Sequence, residues 1–462
     1  MRNVKDIKRH SYVVLGAGRS GVSAAKLLKS IGAEVFLSDN HNIEDLRYVD
    51  IQELDDFSIK YEFGSHSERV FDCDYWILSP GIPPHSDIIK AGTEKKIKLI
   101  SEIELASWLC PARVIAITGT NGKTTTTMLI EHILRYWTDK VFACGNVGVA
   151  FSDVIEKLDK ESLVVLEVSS FQLKYIETFK PYIAILTNFS IDHLDWHQSV
   201  EDYLNSKLKI NLNQDNNDYL IFNYDDRTFR EKMDEFKGNV AAFSLKYNLR
   251  EEGIVCGGYL ENSYLWYFDK VTQREFDIIR REEIFIKGTH NLYNSLAAII
   301  STKITGVENE LLRNALRDFK GVEHRIEFVK EIGGVKFYND SKATNYDSLA
   351  VALESFESNI ILIMGGKKGD NNFHLIDDFV KKKVKKIFTI GQSSDVIAEH
   401  YDNVIKCDSL RMAVREAYKY AVSGDIVLFS PGYKSFDMFE NFEQRGKAFK
   451  VLVNCLNDGS GV

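Results

Sequence analysis

The sequence predicts an α/β protein of three domains: a Rossmann-like N-terminal domain, a central P-loop-type domain with a small antiparallel addition, and a Rossmann-like C-terminal domain. Three observations carry that expectation. Short apolar runs alternate with helical patterns along most of the chain, as βαβ units require. Two glycine-rich turns each fall between a strand pattern and a helix pattern. A chain of 462 residues is also longer than one ordinary core organises.

In residues 12–105, strand candidates at 12–15, 34–37 and 75–78 alternate with helical patterns such as 22–31. A second series opens with 113–118, passes into a helical 124–137 and adds apolar runs at 163–168 and 182–187. From about residue 253 to 286 the pattern changes to short alternating runs punctuated by Gly-Gly and Glu-Asn, which predicts the antiparallel addition. After Gly321 a third alternation begins, with strand candidates at 335–338, 359–364, 386–390 and 425–430. The expected domains are therefore 1–108, 109–321 and 322–462.

Composition excludes several classes. The chain is 44% hydrophobic, 12% aromatic and 27% charged, which suits folded domains and not extended disorder. Its formal net charge of -9 opposes nucleic acid and anionic membranes, so neither partner is expected. The basic run 381–386, interrupted only by Val384, reads as a solvated helix end. No apolar run reaches the roughly 18 residues that span a bilayer, and the stretch after the polar first ten residues is too short for a signal peptide. Cys73, Cys110, Cys144, Cys256, Cys407 and Cys455 show no metal-finger spacing and read as reduced thiols. A cytoplasmic monomer is expected.

Gly119-Thr120-Asn121-Gly122-Lys123-Thr124 lies directly between a strand and a helix pattern. Small residues let consecutive N–H groups face a phosphate, the helix N-terminus adds positive potential, Lys123 reaches terminal phosphates and Thr124 can ligate magnesium. The alternative is a glycine turn that only caps a helix. The full phosphate-loop pattern has a glycine six residues before the lysine; Ile117 stands there, which counts against a GTPase or motor. The central unit is thus expected to be an ATPase domain.

Gly16-Ala17-Gly18-Arg19-Ser20-Gly21, with Asp39 closing the next strand, matches a dinucleotide fingerprint. Such a turn can hold any diphosphate, and a second nucleotide loop makes a hydride enzyme less economical. Tight strand-to-helix packing without a ligand is the bland alternative. Glu167 ends a strand candidate, where a carboxylate can bind magnesium; Ser169 beside it can cap the next helix. The segment 188–197 crowds Asp192 and Asp195 with His193 and His197 after another strand end, although a loop histidine is more often a structural hydrogen-bonder.

These residues resemble the Mur ligase family nearly end to end. The blocks are Ser79-Pro80-Gly81, 119–124, Gly145-Asn146-Val147-Gly148, 167–173, Asp192-His193, Gly288-Thr289-His290-Asn291 with Asn294, Glu323-His324-Arg325, 339–345 and 430–446. The stretch 435–446 looks like the D-glutamate-adding branch; read alone it would be an amphipathic helix start.

The resemblance implies ATP and two Mg2+ ions as cofactors, with UDP-N-acetylmuramoyl-L-alanine and D-glutamate as substrates. It assigns Gly18, Arg19, Ser20, Asp39, Asn40 and Gly81 to the UDP group. Gly119, Thr120, Asn121, Gly122, Lys123, Thr124 and Thr125 are assigned to ATP, joined by Asn291, Asn294, Arg325 and Asp340. Lys123, Asn146, Ser169, His193 and Lys207 would line the reaction centre, and Thr124, Glu167, His193 and Lys207 would serve the metals. Lys207 matches a position carrying a carbamylated lysine in the family, where residue type alone would read a solvated helix residue. Lys342, Thr344, Lys368, Ser435 and Phe442 are implied for D-glutamate. The segment Gly365-Gly366-Lys367-Lys368-Gly369-Asp370 is one residue shorter than usual, so Lys367 remains an alternative to Lys368.

The implied reaction is attack of the alanine carboxylate on the γ-phosphate of ATP, then displacement of phosphate by the amine of D-glutamate, with domain closure on substrate binding. The rivals are a sibling ligase using another amino acid and a non-catalytic nucleotide switch; the 435–446 block argues against the first, and Ile117 with the acid-histidine cluster against the second.

Overall fold

Strands buried along their whole length need cover on both faces, and this chain builds three sheets with such strands among them. The computed structural model describes residues 4–194, 196–369 and 371–456, so Asp195 of the acid-histidine cluster and Asp370 of the glycine segment lie outside the described residues. Two compact units divide the chain, residues 1–283 with 292–317 and residues 284–291 with 318–462.

The first unit holds two sheets. In the first, β1 (Ser11–Leu15), β2 (Glu34–Asp39), β3 (Lys60–Phe63), β4 (Tyr75–Leu78) and β5 (Lys98–Ser101) run parallel in the order β3-β2-β1-β4-β5. The order reverses beside β1, which puts the 16–21 turn at the crevice where such sheets take ligands.

The second sheet contains β6 (Arg113–Thr118), β7 (Val141–Gly145), β8 (Leu163–Glu167), β9 (Ile183–Leu186), β10 (Tyr219–Asn223), β11 (Asn239–Ser244), β12 (Cys256–Glu261), β13 (Tyr264–Asp269) and β14 (Arg274–Arg280). Their order is β14-β13-β12-β11-β10-β9-β6-β8-β7. The strands from β7 to β12 are parallel, whereas β13 and β14 are antiparallel, so the expected addition is a continuation of the main sheet. Central β6 lies between β8 and β9, and the loop after it opens where the order reverses.

The second unit orders β15 (Glu327–Ile332), β16 (Val335–Asn339), β17 (Ile360–Gly365), β18 (Val384–Ile390), β19 (Val404–Lys406) and β20 (Ile426–Phe429) as β15-β16-β20-β17-β18-β19. Only β15 is antiparallel. The basic run corrects one expectation: Lys381, Lys382 and Lys383 close a helix, but Val384 is buried and opens β18, which continues through Lys386. Among the described residues no helix is long and apolar enough to cross a membrane, and all six cysteines are free thiols.

Candidate active site

The loop after β6 begins with a backbone that side chains rarely allow. Gly119 has φ +148° and Gly122 +83°. A Cβ at Gly119 would stand 1.9 Å from Thr187 Oγ1, and one at Gly122 2.5 Å from Asn294 Oδ1. Glycine at both positions is therefore dictated by packing as well as φ. Gly122 caps the helix Lys123–Arg135, whose first turn carries Thr124 and Thr125, both buried. Lys123 Nζ donates to the carbonyls of Gly119 (3.0 Å) and Thr120 (2.8 Å), folding back over its own loop. Asn294 Oδ1 accepts from Thr126 Oγ1 at 3.2 Å, which fixes it beside the loop.

A neighbouring residue that residue types alone did not single out clamps this loop. The side chain of Asn188, just past β9, accepts from Asn121 N (2.9 Å) and donates to Asn121 O (2.9 Å), as a paired strand would. Its own carbonyl accepts from Thr120 N at 2.9 Å. Asp226 takes Phe189 N at 2.6 Å and so holds the clamp in turn. The available signal was an amide residue at a strand end facing the loop.

Register puts Glu167 opposite Ile117, at the mouth of the same loop. Its Oε1 accepts from Asn146 Nδ2 at 2.8 Å, and its Oε2 is buried without a hydrogen-bond partner. Asn146 sits in the turn after β7, where Gly145 (φ +104°) lets the backbone rest against Glu167 O. Ser169 is committed locally: its Oγ caps the helix Ser170–Lys174 by accepting from Gln172 N at 3.3 Å.

Lys207 contradicts the solvated reading. It is 2% exposed, donates to Gly119 O at 2.7 Å and lies 4.4 Å from the Tyr203 ring centroid. Burial, with the nearby Lys123 charge, pushes its amine down to about 6. The two histidines of the cluster separate. His193 is half-exposed, 3.5 Å from Asp192 and edge-on to Phe171. His197 is buried between Ser170 Oγ (2.9 Å) and Asp202 (3.0 Å), a structural bridge whose burial lowers its pKa.

In the first sheet, Gly16 (φ +94°) and Gly21 form a turn so tight that a Cβ at Gly21 would lie 1.9 Å from Gly16 O. Asp39 Oδ2 accepts from Ala17 N at 2.7 Å. Burial opposes its ionisation, but hydrogen bonds from His41 and Ala17 outweigh that and hold its carboxyl below the usual range. Gly18 caps the helix Arg19–Ser30, and Asn40 and Gly81 are exposed while Ser20 is half-buried. Arg19 does not turn toward Asp39: its guanidinium donates to Gly148 O and, at 3.4 Å, to Asn146 O.

In the second unit, Asp340 follows β16 with its carboxylate accepting from Ser430 Oγ (2.6 Å) and Ile326 N (3.1 Å); burial raises its pKa to about 7. Arg325, half-buried, acts electrostatically on both Asp340 and His290. Asn291 Nδ2 donates to Lys287 O at 2.7 Å. Lys342 Nζ lies 5.9 Å from the Phe442 ring centroid, Ser435 is buried, Thr344 half-buried, and Lys367 and Lys368 both exposed. Buried Arg445 binds these loops together through Ser341 O (2.9 Å), Ser341 Oγ (3.1 Å) and Tyr433 O (3.0 Å), a role the sequence hides because two of these partners are main-chain atoms and Ser341 lies 104 residues away.

Three domain profiles match in chain order: the MurD N-terminal domain over residues 12–88, the Mur ligase middle domain over 117–302, and the Mur ligase, glutamate ligase domain over 324–432. A UDP-N-acetylmuramoylalanine--D-glutamate ligase of Caldicellulosiruptor bescii is 42% identical over 98% of this chain and 99% of its own. The chain belongs to the Mur ligase family. A second relative of that name, from Chloroherpeton thalassium, is 39% identical to this Mur ligase over 98% of the chain and 99% of its own length. Among solved structures, the UDP-N-acetylmuramate-alanine ligase MurC of Thermotoga maritima has a TM-score of 0.56 at 18% identity, covering 96% of this chain and 99% of its own. The MurF ligase of T. maritima, solved with ADP, has a TM-score of 0.55 at 16% identity, covering 98% and 97%. These two likenesses concern the Mur ligase fold alone.

Proposed function

We propose that this Mur ligase joins D-glutamate to UDP-N-acetylmuramoyl-L-alanine in an ATP-driven step of peptidoglycan precursor synthesis, in the cytoplasm. The observation that carries the reading is 42% identity, across nearly the whole chain, to a ligase of that name, in a protein whose phosphate loop opens beside a buried carboxylate. A carboxylate oxygen of the alanine attacks the γ-phosphorus of ATP, the bond to the bridging oxygen breaks, and ADP leaves. The amine of D-glutamate then attacks the acyl carbon, phosphate departs, and the amine loses a proton as the amide forms. Residues 119–125 would cradle the triphosphate, with Lys123 leaving its own loop carbonyls to meet the γ-phosphate.

Thr124 and Glu167 suit magnesium, which takes hydroxyl, carboxylate, phosphate and water oxygens. The unpartnered Oε2 of Glu167 supports that fit. Among the described residues no three His, Cys, Asp or Glu side chains would cage a metal unaided, so phosphate and water must complete the shell. Bound there, magnesium would offset the repulsion between the two anions of the first step. A second ion would use His193 and Lys207. A largely neutral Lys207 amine can add carbon dioxide, forming an N–C bond and losing a proton, which leaves an anion beside the metals. With 13C-bicarbonate, a carbamate carbon resonance is expected in the wild type and not in Lys207→Arg.

We assign the UDP group to Gly18 and Ser20 of the glycine turn with Asp39, Asn40 and Gly81, and D-glutamate to Lys342, Thr344, Ser435, Phe442 and Lys368 or Lys367. Asn291, Arg325 and Asp340 are assigned to ATP. The test is phosphate release with ATP, magnesium and UDP-N-acetylmuramoyl-L-alanine, comparing D-glutamate with L-glutamate and other amino acids. Release that is indifferent to the amino acid would overturn the assignment.

A further inference from the structure

The turn that orients Glu167 and the short helix 151–153 just beyond it are each held by a residue that opens a helix after a strand of the first sheet. Arg19 opens the helix after the 16–21 turn, yet its guanidinium leaves that turn and donates to the carbonyls of Gly148 and Asn146. Farther along, Ser152 N donates to the buried carboxyl of Glu102 at 2.6 Å. The turn itself is stacked on the end of β8. Asn146 N donates to Glu167 O at 2.9 Å, Asn146 Nδ2 donates to Glu167 Oε1 at 2.8 Å, and Gly145 N closes the turn on Val149 O at 2.8 Å.

From these contacts we propose that Arg19 is a positioning residue: it holds the 145–149 turn so that Asn146 keeps one oxygen of Glu167 occupied and the other presented for metal. The proposal rests on the reading of Glu167 as a magnesium ligand, and it differs from the family expectation that Arg19 contacts the UDP group. A guanidinium suits this task because its fixed fork can engage two neighbouring carbonyls at once. An amide that already holds Oε1 forces a cation onto Oε2, so a shift of the turn would move the ligand itself. Supporting groups of this kind act on metal affinity and turnover without touching substrate.

The test uses the full-length protein with Arg19→Ala and Arg19→Lys. Hydrogen exchange of the Gly145 and Asn146 amides, read without metal or substrate, should quicken at least about tenfold in Arg19→Ala, the equivalent of 1.4 kcal/mol of lost protection. The magnesium concentration giving half-maximal rate should rise several-fold and kcat should fall, while the KM for UDP-N-acetylmuramoyl-L-alanine stays within about twofold. Arg19→Lys should recover part of each effect, and it carries the test alone if the alanine variant fails to fold. Unchanged exchange overturns the proposal, as does quickened exchange with unaltered magnesium dependence. A rise in KM for the UDP substrate at constant magnesium dependence overturns it in favour of direct contact. If the wild type proves not to be a magnesium-dependent ligase, the functional reading fails while the exchange result still stands or falls by itself.

Discussion

Lys207 and Glu102 are both pushed toward neutrality by burial, one from the basic side and one from the acidic side. Glu102 is raised to about 7, so between roughly its ordinary value near 4.5 and pH 7 the folded protein keeps a proton that the unfolded chain has released. Its stabilising contribution is therefore complete at pH 4.5, falls as pH rises, and is gone above 7. At 1.36 kcal/mol per unit, that slope amounts to about 3 kcal/mol. Glu102→Gln keeps an acceptor for Ser152 N but cannot ionise. Its stability relative to wild type should grow from pH 4.5 to 7 and then level off in chemical denaturation; parallel profiles would refute the assignment. Residue type alone gave no warning of either group, because burial of a lysine at 207 depends on Tyr203 and on a carbonyl 88 residues away.

At the scale of elements, the phosphate loop is held by the segment just past β9 as much as by its own glycines. Replacing Asn188 by alanine removes both bonds to Asn121 and should raise the KM for ATP about tenfold, some 1.4 kcal/mol, with little change toward the other substrates. Aspartate at 188 can still accept from Asn121 N but has no amide to donate, so it should fall between alanine and wild type. A KM for ATP unmoved in both variants would show the clamp to be dispensable. The loop, its flanking strand and helix, and Glu167 at the end of β8 were legible because each is a local pattern: glycine spacing, an apolar run, a carboxylate at a strand end. Asn188, Arg445 and the direction of Arg19 were not, because each depends on a segment that only the folded chain brings alongside, met largely through its main-chain atoms. Ser169 was legible both ways, and the structure commits its hydroxyl to capping. The antiparallel strands were readable from punctuation, whereas their fusion to the central sheet required long-range register.

For the molecule as a whole, ligand linkage gives the most direct check. A magnesium complex of a non-hydrolysable ATP analogue at about 100 times its Kd should stabilise the protein by about 2.7 kcal/mol, read as a rise in Tm. Lys123→Ala should lose most of that rise while melting near wild type without ligand, since the amine is tied to two carbonyls of its own loop and removing it leaves the glycine turn and the Asn188 clamp in place. A full ligand-induced rise in the variant would remove Lys123 from triphosphate binding.

The outermost strand of the central sheet has a bearing on solubility that catalysis never sees. Every open sheet ends in a row of unsatisfied amides, a template onto which a stray chain can zip. One such rim here is β14, whose Arg274, Glu275, Asp277 and Arg280 are not buried and place charges of both signs where a stranger would dock. A protein trimmed of β13 and β14 would instead end at β12, with the side-chain-poor pair Gly257 and Gly258 on view. Such a truncation should clump into β-rich aggregates even if its phosphate loop were untouched.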